Sequence, residues 1–226
     1  MRSSLAVCVI GACAFLAGCA QHYAPKISLG ESPQTIPLRV ELHQLKDSPR
    51  AAGQPYGVVA EHVKTVEPGE LSGPITAAVL KDFRENRVFQ QVDTHVEHPD
   101  AILTGTINTF YETYRPKGWA QVPYAKSVAK LVAKLMDVDT YTVATKVDID
   151  FVLRTPDGTR IGTYHGHAAT EDEFIPNKQN QPGMHSDWAL SEAIHQIRQA
   201  LLDDADVAKY SAHAARMPER QNEPGQ

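Results

Sequence analysis

The chain has 226 residues, a formal net charge of −5 and only 7% aromatic side chains. That balance leaves no basic field for nucleic acid and little stacking surface for bases or sugars. Once a short apolar leader is set aside, enough chain remains for one domain with its own buried core, but not comfortably for two.

The leader comes first. Arg2 precedes an apolar run from Leu5 to Leu16, the layout of a secretory h-region. The run is too short to span a hydrocarbon core, which takes roughly 20 apolar residues. It closes on Leu16-Ala17-Gly18-Cys19, which resembles the lipobox of bacterial lipoproteins. The resemblance implies cleavage after Gly18, acylation of Cys19, and a protein held at the membrane by two or more acyl chains such as palmitate. All three cysteines, Cys8, Cys13 and Cys19, lie in this leader, so the body has no disulfide framework and Cys19 has no evident role except lipidation. Ala20 after the cysteine, by resemblance to lipoproteins of diderm bacteria, points to the outer membrane with the domain in the periplasm.

Residues 19–34 read as the lipidated N-terminus and a flexible tether, with Pro25, Gly30 and Pro33 and no apolar period. The domain is expected over 35–210. Leu38, Val40 and Leu42 alternate with Arg39, Glu41 and His43 as in a half-buried strand, and Val58 to Val66 is a weaker extended stretch. Pro68 and Gly69 stop it. Ser72 stands at an N-cap position with Pro74 in the first turn, and Ile75, Val79 and Phe83 then repeat at helical spacing, predicting an amphipathic helix that ends near Asn86.

Val88, Phe89 and Val92 predict a short strand, and Ala101 to Tyr111 a longer one in which Gly105 suggests a bulge or a close-packed neighbour. This order, closing on Asp100-Ala101-Ile102-Leu103-Thr104-Gly105-Thr106-Ile107, resembles small envelope lipoproteins of the YajG type and related α/β modules of outer-membrane assembly and secretion lipoproteins. The resemblance covers about the middle half of the chain and implies a role in envelope assembly.

Val122 to Met136 predicts a helix with Tyr124, Val128, Leu131, Val132 and Leu135 on one side and Lys126, Lys130 and Lys134 in a stripe on the other. The stripe is either a solvated face over a core-packed helix, the preferred reading, or a contact for anionic headgroups or an acidic partner. Trp119, in the irregular loop before it, favours contact.

Val143, Thr145, Val147, Ile149, Phe151 and Leu153 share one face of the clearest strand, with Asp148 and Asp150 on the other. Thr155-Pro156-Asp157-Gly158 turns the chain, and Ile161 to Ala169 returns. With a three-residue loop, 155 pairs with 159, Ile161 lies opposite Leu153, His165 opposite Ile149 and His167 opposite Val147. With a two-residue loop the register slips by one, and His165 and His167 meet Asp150 and Asp148 in an arrangement suited to zinc or copper. The first register keeps Ile161 in the core and suits the proline, so it is the one expected, with half-buried neutral imidazoles and no bound metal. Glu171, Asp172 and Glu173 read as a solvated run.

The connection from Thr170 to His185 has little to bury, and a last helix begins after Ser186, placing Leu190, Ala193, Ile194, Ile197 and Leu201 on the sheet. Residues 211–226 read as a disordered tail. The expected architecture is α+β: a single two-layer domain with a largely antiparallel sheet packed by about three helices. No nucleophile elbow, phosphate loop or zinc-protease motif occurs. The sequence therefore points to a non-enzymatic, cofactor-free module anchored to the membrane at Cys19 and binding another envelope protein, with capture of a small amphiphile or metal ion as the alternative.

Overall fold

Leu38, Val40 and Leu42 are fully buried, and the alternation that marks them forms strand β1, Ile36–Leu42. In a computed structural model describing residues 24–48, 57–59, 71–116, 141–174 and 183–216, six further strands follow: β2, Lys46–Asp47; β3, Gly57–Val59; β4, Phe89–Asp93; β5, Ala101–Pro116; β6, Tyr141–Arg154; and β7, Arg160–Phe174. The described helices are α1, Ser72–Glu85; α2, Met184–Asp203; and α3, Ala205–Ala214.

The order across the sheet is β4-β1-β5-β6-β7, with β2 and β3 continuing beside β5 where β1 ends. Pairs among β5, β6 and β7 are antiparallel, whereas β1, β2 and β3 run parallel to β5, and β4 runs parallel to β1. The sheet is thus mixed, its antiparallel character confined to the three long strands. α1 supplies the crossover that a parallel β1–β4 pair requires.

All three helices share one core with one face of the sheet. From α1 come Ile75, Val79 and Phe83, and from α2 Leu190, Ala193, Ile194, Ile197 and Leu201. Phe83 meets Phe89 edge-on at 5.8 Å and lies 6.4 Å from Phe151. Burying each such side chain contributes roughly 1.5–3 kcal/mol, so this layer dominates the stability of the fold. The expected close approach at Gly105 is present: a Cβ there would stand 2.8 Å from Leu45 and 2.9 Å from the Phe151 ring.

Several boundaries differ from expectation. Of the tether expected over 19–34, residues 26–32 lie against the domain. Ile27 and Leu29 pack on the core, the Ser28 N–H donates to Ser191 Oγ at 3.0 Å, and Arg198 donates to the Gly30 carbonyl at 2.8 Å. These residues carry no apolar period because they form no regular element; individual side chains and backbone groups hold them.

At the other end α3 runs through 211–214, the first residues of the expected tail. The Asp204 side chain caps it through the Asp206 N–H at 2.8 Å, and Ser211 is buried. Ser72 opens α1 but Leu71 occupies the cap position, and no side chain caps that helix. The expected connection from Thr170 begins five residues later, because β7 extends through Phe174.

Candidate metal centre

On β6 the residues of even number face away from the helices, which places Asp148 and Asp150 on the outer face of the sheet. Two bulges decide what stands beside them. The β5–β6 register shifts between Ile107 and Thr109, leaving Asn108 as an extra residue. The β6–β7 register shifts between Leu153 and Arg154, leaving Ile161 as another. A bulge bends its strand and re-aims the neighbouring side chains.

The second bulge overturns the expected hairpin register. The turn itself is the three-residue one: the Thr155 N–H donates to the Thr159 carbonyl at 2.8 Å, and Gly158 has φ 93°. Ile161 then drops out of the ladder, so Leu153 pairs with Gly162, Asp150 with His165 and Asp148 with His167. The cause lies beneath the strand. Its inward residues are Gly162, Tyr164, Gly166 and Ala168, and a Cβ on Gly166 would collide with the Ala193 carbonyl of α2. The helix backbone rests directly on β7 there. A histidine at the Gly166 position would have no room, so glycine turns inward there and the imidazoles on either side turn outward.

The resulting constellation is compact. His165 Nδ1 is 2.8 Å from Asp150 Oδ1 and 3.9 Å from Asp148 Oδ1, and His167 Nδ1 is 3.6 Å from Asp148 Oδ2. The two rings are stacked within 9° of parallel, 6.3 Å between centroids. Asn108 Nδ2 donates to Asp150 Oδ2 at 2.6 Å and to Asp148 Oδ1 at 3.1 Å, holding both carboxylates from the neighbouring strand. The imidazoles are 56% and 43% exposed, open to solutes rather than half-buried in the core. Potential ligand atoms of Asp148, His165 and His167 all lie within 4.8 Å of one another.

The structure therefore joins both histidines to both carboxylates and adds Asn108, which sequence reasoning missed. A signal for Asn108 was present. The inward positions run Ala101, Leu103, Gly105, Ile107 and then Phe110, a change of parity that only an extra residue can produce. Cys19, Trp119, Lys126, Lys130 and Lys134 lie outside the described residues.

A second polar group lies within the core. Glu112, fully buried, accepts the backbone N–H groups of Gly183 at 2.7 Å and Ser186 at 2.6 Å, together with the Tyr114 hydroxyl. The carboxylate sits at the N-terminus of α2, where the helix dipole favours negative charge. Burial first, and then the Glu112 carboxylate, push the Tyr114 hydroxyl pKa up. This group is a cap that fixes the helix on the sheet.

No family model and no curated protein matches the chain. Three solved structures show distant likenesses. A DUF330 protein from Xanthomonas campestris is 11% identical with a TM-score of 0.48, covering 86% of this chain and 98% of its own. An uncharacterised protein is 14% identical with a TM-score of 0.33 over 83% of this chain and 98% of its own. A candidate lipoprotein from Caulobacter crescentus is 12% identical with a TM-score of 0.33 over 69% of this chain and 90% of its own. Likenesses this remote transfer no function, and none of them shows the YajG-type resemblance.

Proposed function

We propose that the chain is an outer-membrane lipoprotein whose domain works in the periplasm as a non-enzymatic module, binding another envelope protein. The observation that carries the reading is the Leu16-Ala17-Gly18-Cys19 motif behind an apolar leader, with every cysteine of the chain confined to that leader. Two or more acyl chains on Cys19 would hold the protein stably, at about 0.8 kcal/mol per buried methylene. Among the described residues no helix is long and apolar enough to cross a membrane, which fits attachment by lipid.

The layering supports docking. The three described helices occupy one face of the sheet, while Thr104, Thr106, Asn108, Lys146, Asp148 and Asp150 stand half-exposed on the other and Thr163, His165 and His167 are exposed there. A polar sheet face with this mixture of donors and acceptors suits a wet, reversible interface. The lysine stripe at 126, 130 and 134, with Trp119, is the second surface for a partner.

The test is carried out in cells. Metabolic labelling with a clickable palmitate analogue should mark the wild-type chain and leave Cys19→Ala unmarked. Photo-crosslinking residues at Thr163 and Lys130 should then give a discrete protein adduct that is lost in the Cys19→Ala chain. Absence of acylation would sink the anchor. Phospholipid adducts alone, or none, would sink the docking role.

A further inference from the structure

We propose that Asp148, His165 and His167 bind one divalent transition-metal ion, Zn²⁺ or Cu²⁺, on the outer face of the sheet, with Asp150 and Asn108 as positioning residues. The donor set comes first: imidazole nitrogen with carboxylate oxygen suits both ions, and no thiolate is needed. Two ligands each about 2.0–2.2 Å from one ion lie at most about 4.4 Å apart. The Nδ1-to-carboxylate separations of 3.6 and 3.9 Å already meet that limit, and the overall spread of 4.8 Å needs only a small rotation of exposed rings.

Charge gives the second argument. Asp148 and Asp150 are two residues apart on one strand face, and their ion-pair partners among the described residues are the two imidazoles. A dication held between them balances both carboxylates. Asn108 donates to one oxygen of each carboxylate and leaves Asp148 Oδ2 directed at His167.

Orientation gives the third. Asp150, 2.8 Å from His165 Nδ1, lies outside the three-residue ligand group and holds that ring on the outer face beside Asp148; an ion bound at Nδ1 takes the place of that hydrogen bond. Three protein ligands on an open face leave further coordination positions to water or to a partner's side chain. The site requires neither the anchor nor the docking role, and a Cys19→Ala chain should bind the ion equally well.

The test uses the untagged full chain in detergent, stripped with a chelator, then titrated calorimetrically with zinc chloride and, separately, copper(II) chloride. About one ion per chain should bind, and His165→Ala, His167→Ala and Asp148→Asn should each weaken binding by about tenfold or more. His43→Ala and His95→Ala, in the separate group around Glu41, should leave it unchanged. Continuous-wave resonance of the copper-loaded chain should show nitrogen hyperfine splitting that loses one nitrogen in each His variant. That signature distinguishes a lost ligand from a damaged fold. Millimolar or non-saturating binding, or binding indifferent to His165 and His167, would overturn the proposal.

Discussion

Glu112 on β5 and Ser186 in the first turn of α2 are joined by a 2.6 Å hydrogen bond from backbone N–H to carboxylate, 74 residues apart in sequence and fully buried. One side chain thereby fixes the helix that closes the core onto the sheet. The bond to the Gly183 N–H and the Tyr114 hydroxyl make the carboxylate an acceptor for three buried donors. Glu112→Ala removes the acceptor that all three share. Each buried donor left unsatisfied costs about 1–3 kcal/mol, so the loss should be about 3 kcal/mol or more in urea denaturation. Glu112→Gln keeps one acceptor oxygen and should cost less.

Gly166 supports the same helix from the other side. Adding a Cβ drives it into the Ala193 carbonyl, which is backbone and cannot rotate away. Gly166→Ala should lower stability by roughly 1–3 kcal/mol, the usual range for overpacking, and shift amide resonances along α2. Gly158→Ala is the contrast. Nothing lies within 4 Å of its added Cβ, and only the φ of 93° opposes it, so the cost should stay near 1 kcal/mol with no change at α2.

The two glycines also mark where the sequence became hard to read. Apolar alternation was enough to place β1, β6 and the inward faces of α1 and α2, because Leu38, Ile149, Phe83 and Ile194 bury large side chains and leave a periodic trace. On β7 the buried face is Gly162, Tyr164, Gly166 and Ala168, with a glycine where the helix backbone rests on the strand. Ile161 is the most apolar residue of that strand, yet it is the bulge. Ile161 still packs against the core, but the bulge resets the alternation after it. The face it marks is therefore not that of the residues that follow, and the helix packed on them decides the register. The turn chemistry of Pro156, Asp157 and Gly158 was legible because it is local; the position of His165 and His167 was not, because it depends on Ala193.

Arg198 and Asp82 test a buried ion pair that ties α2 to α1. Arg198 Nη1 lies 3.5 Å from Asp82 Oδ2, and its Nη2 donates to the Gly30 carbonyl at 2.8 Å, so one guanidinium holds two helices and the N-terminal segment. Arg198→Met leaves a buried carboxylate without its cation and should destabilise by about 3–5 kcal/mol. Adding Asp82→Asn to it should recover part of that loss. A double-mutant cycle by urea denaturation measures the coupling, and strict additivity would mean that the pair contributes nothing specific.

The same aspartate gives stability an opposed pair of acid dependences. Burial first, only partly offset by Arg198 and Asn86, raises the Asp82 pKa above its ordinary value of 3.8. The native state then holds that proton more tightly than the unfolded chain. Its contribution is fully present below 3.8 and fades as pH rises through the folded value. Glu41 runs the other way. The Val96 N–H donates to its carboxylate at 3.2 Å and His43 lies 2.9 Å away, which lowers the pKa from 4.5. That contribution is present above 4.5 and is lost as pH falls through the folded value. Asp100 behaves as Glu41 does: burial raises its pKa, but the hydrogen bonds and charge of Arg39 outweigh that and lower it below 3.8. Urea midpoints measured from about pH 3 to 7 should therefore fall less steeply with acid in Glu41→Gln than in the wild type. Asp82→Asn should do the reverse, removing the one gain on acidification and steepening the fall. Parallel profiles for all three chains would show that neither carboxylate changes its proton affinity on folding.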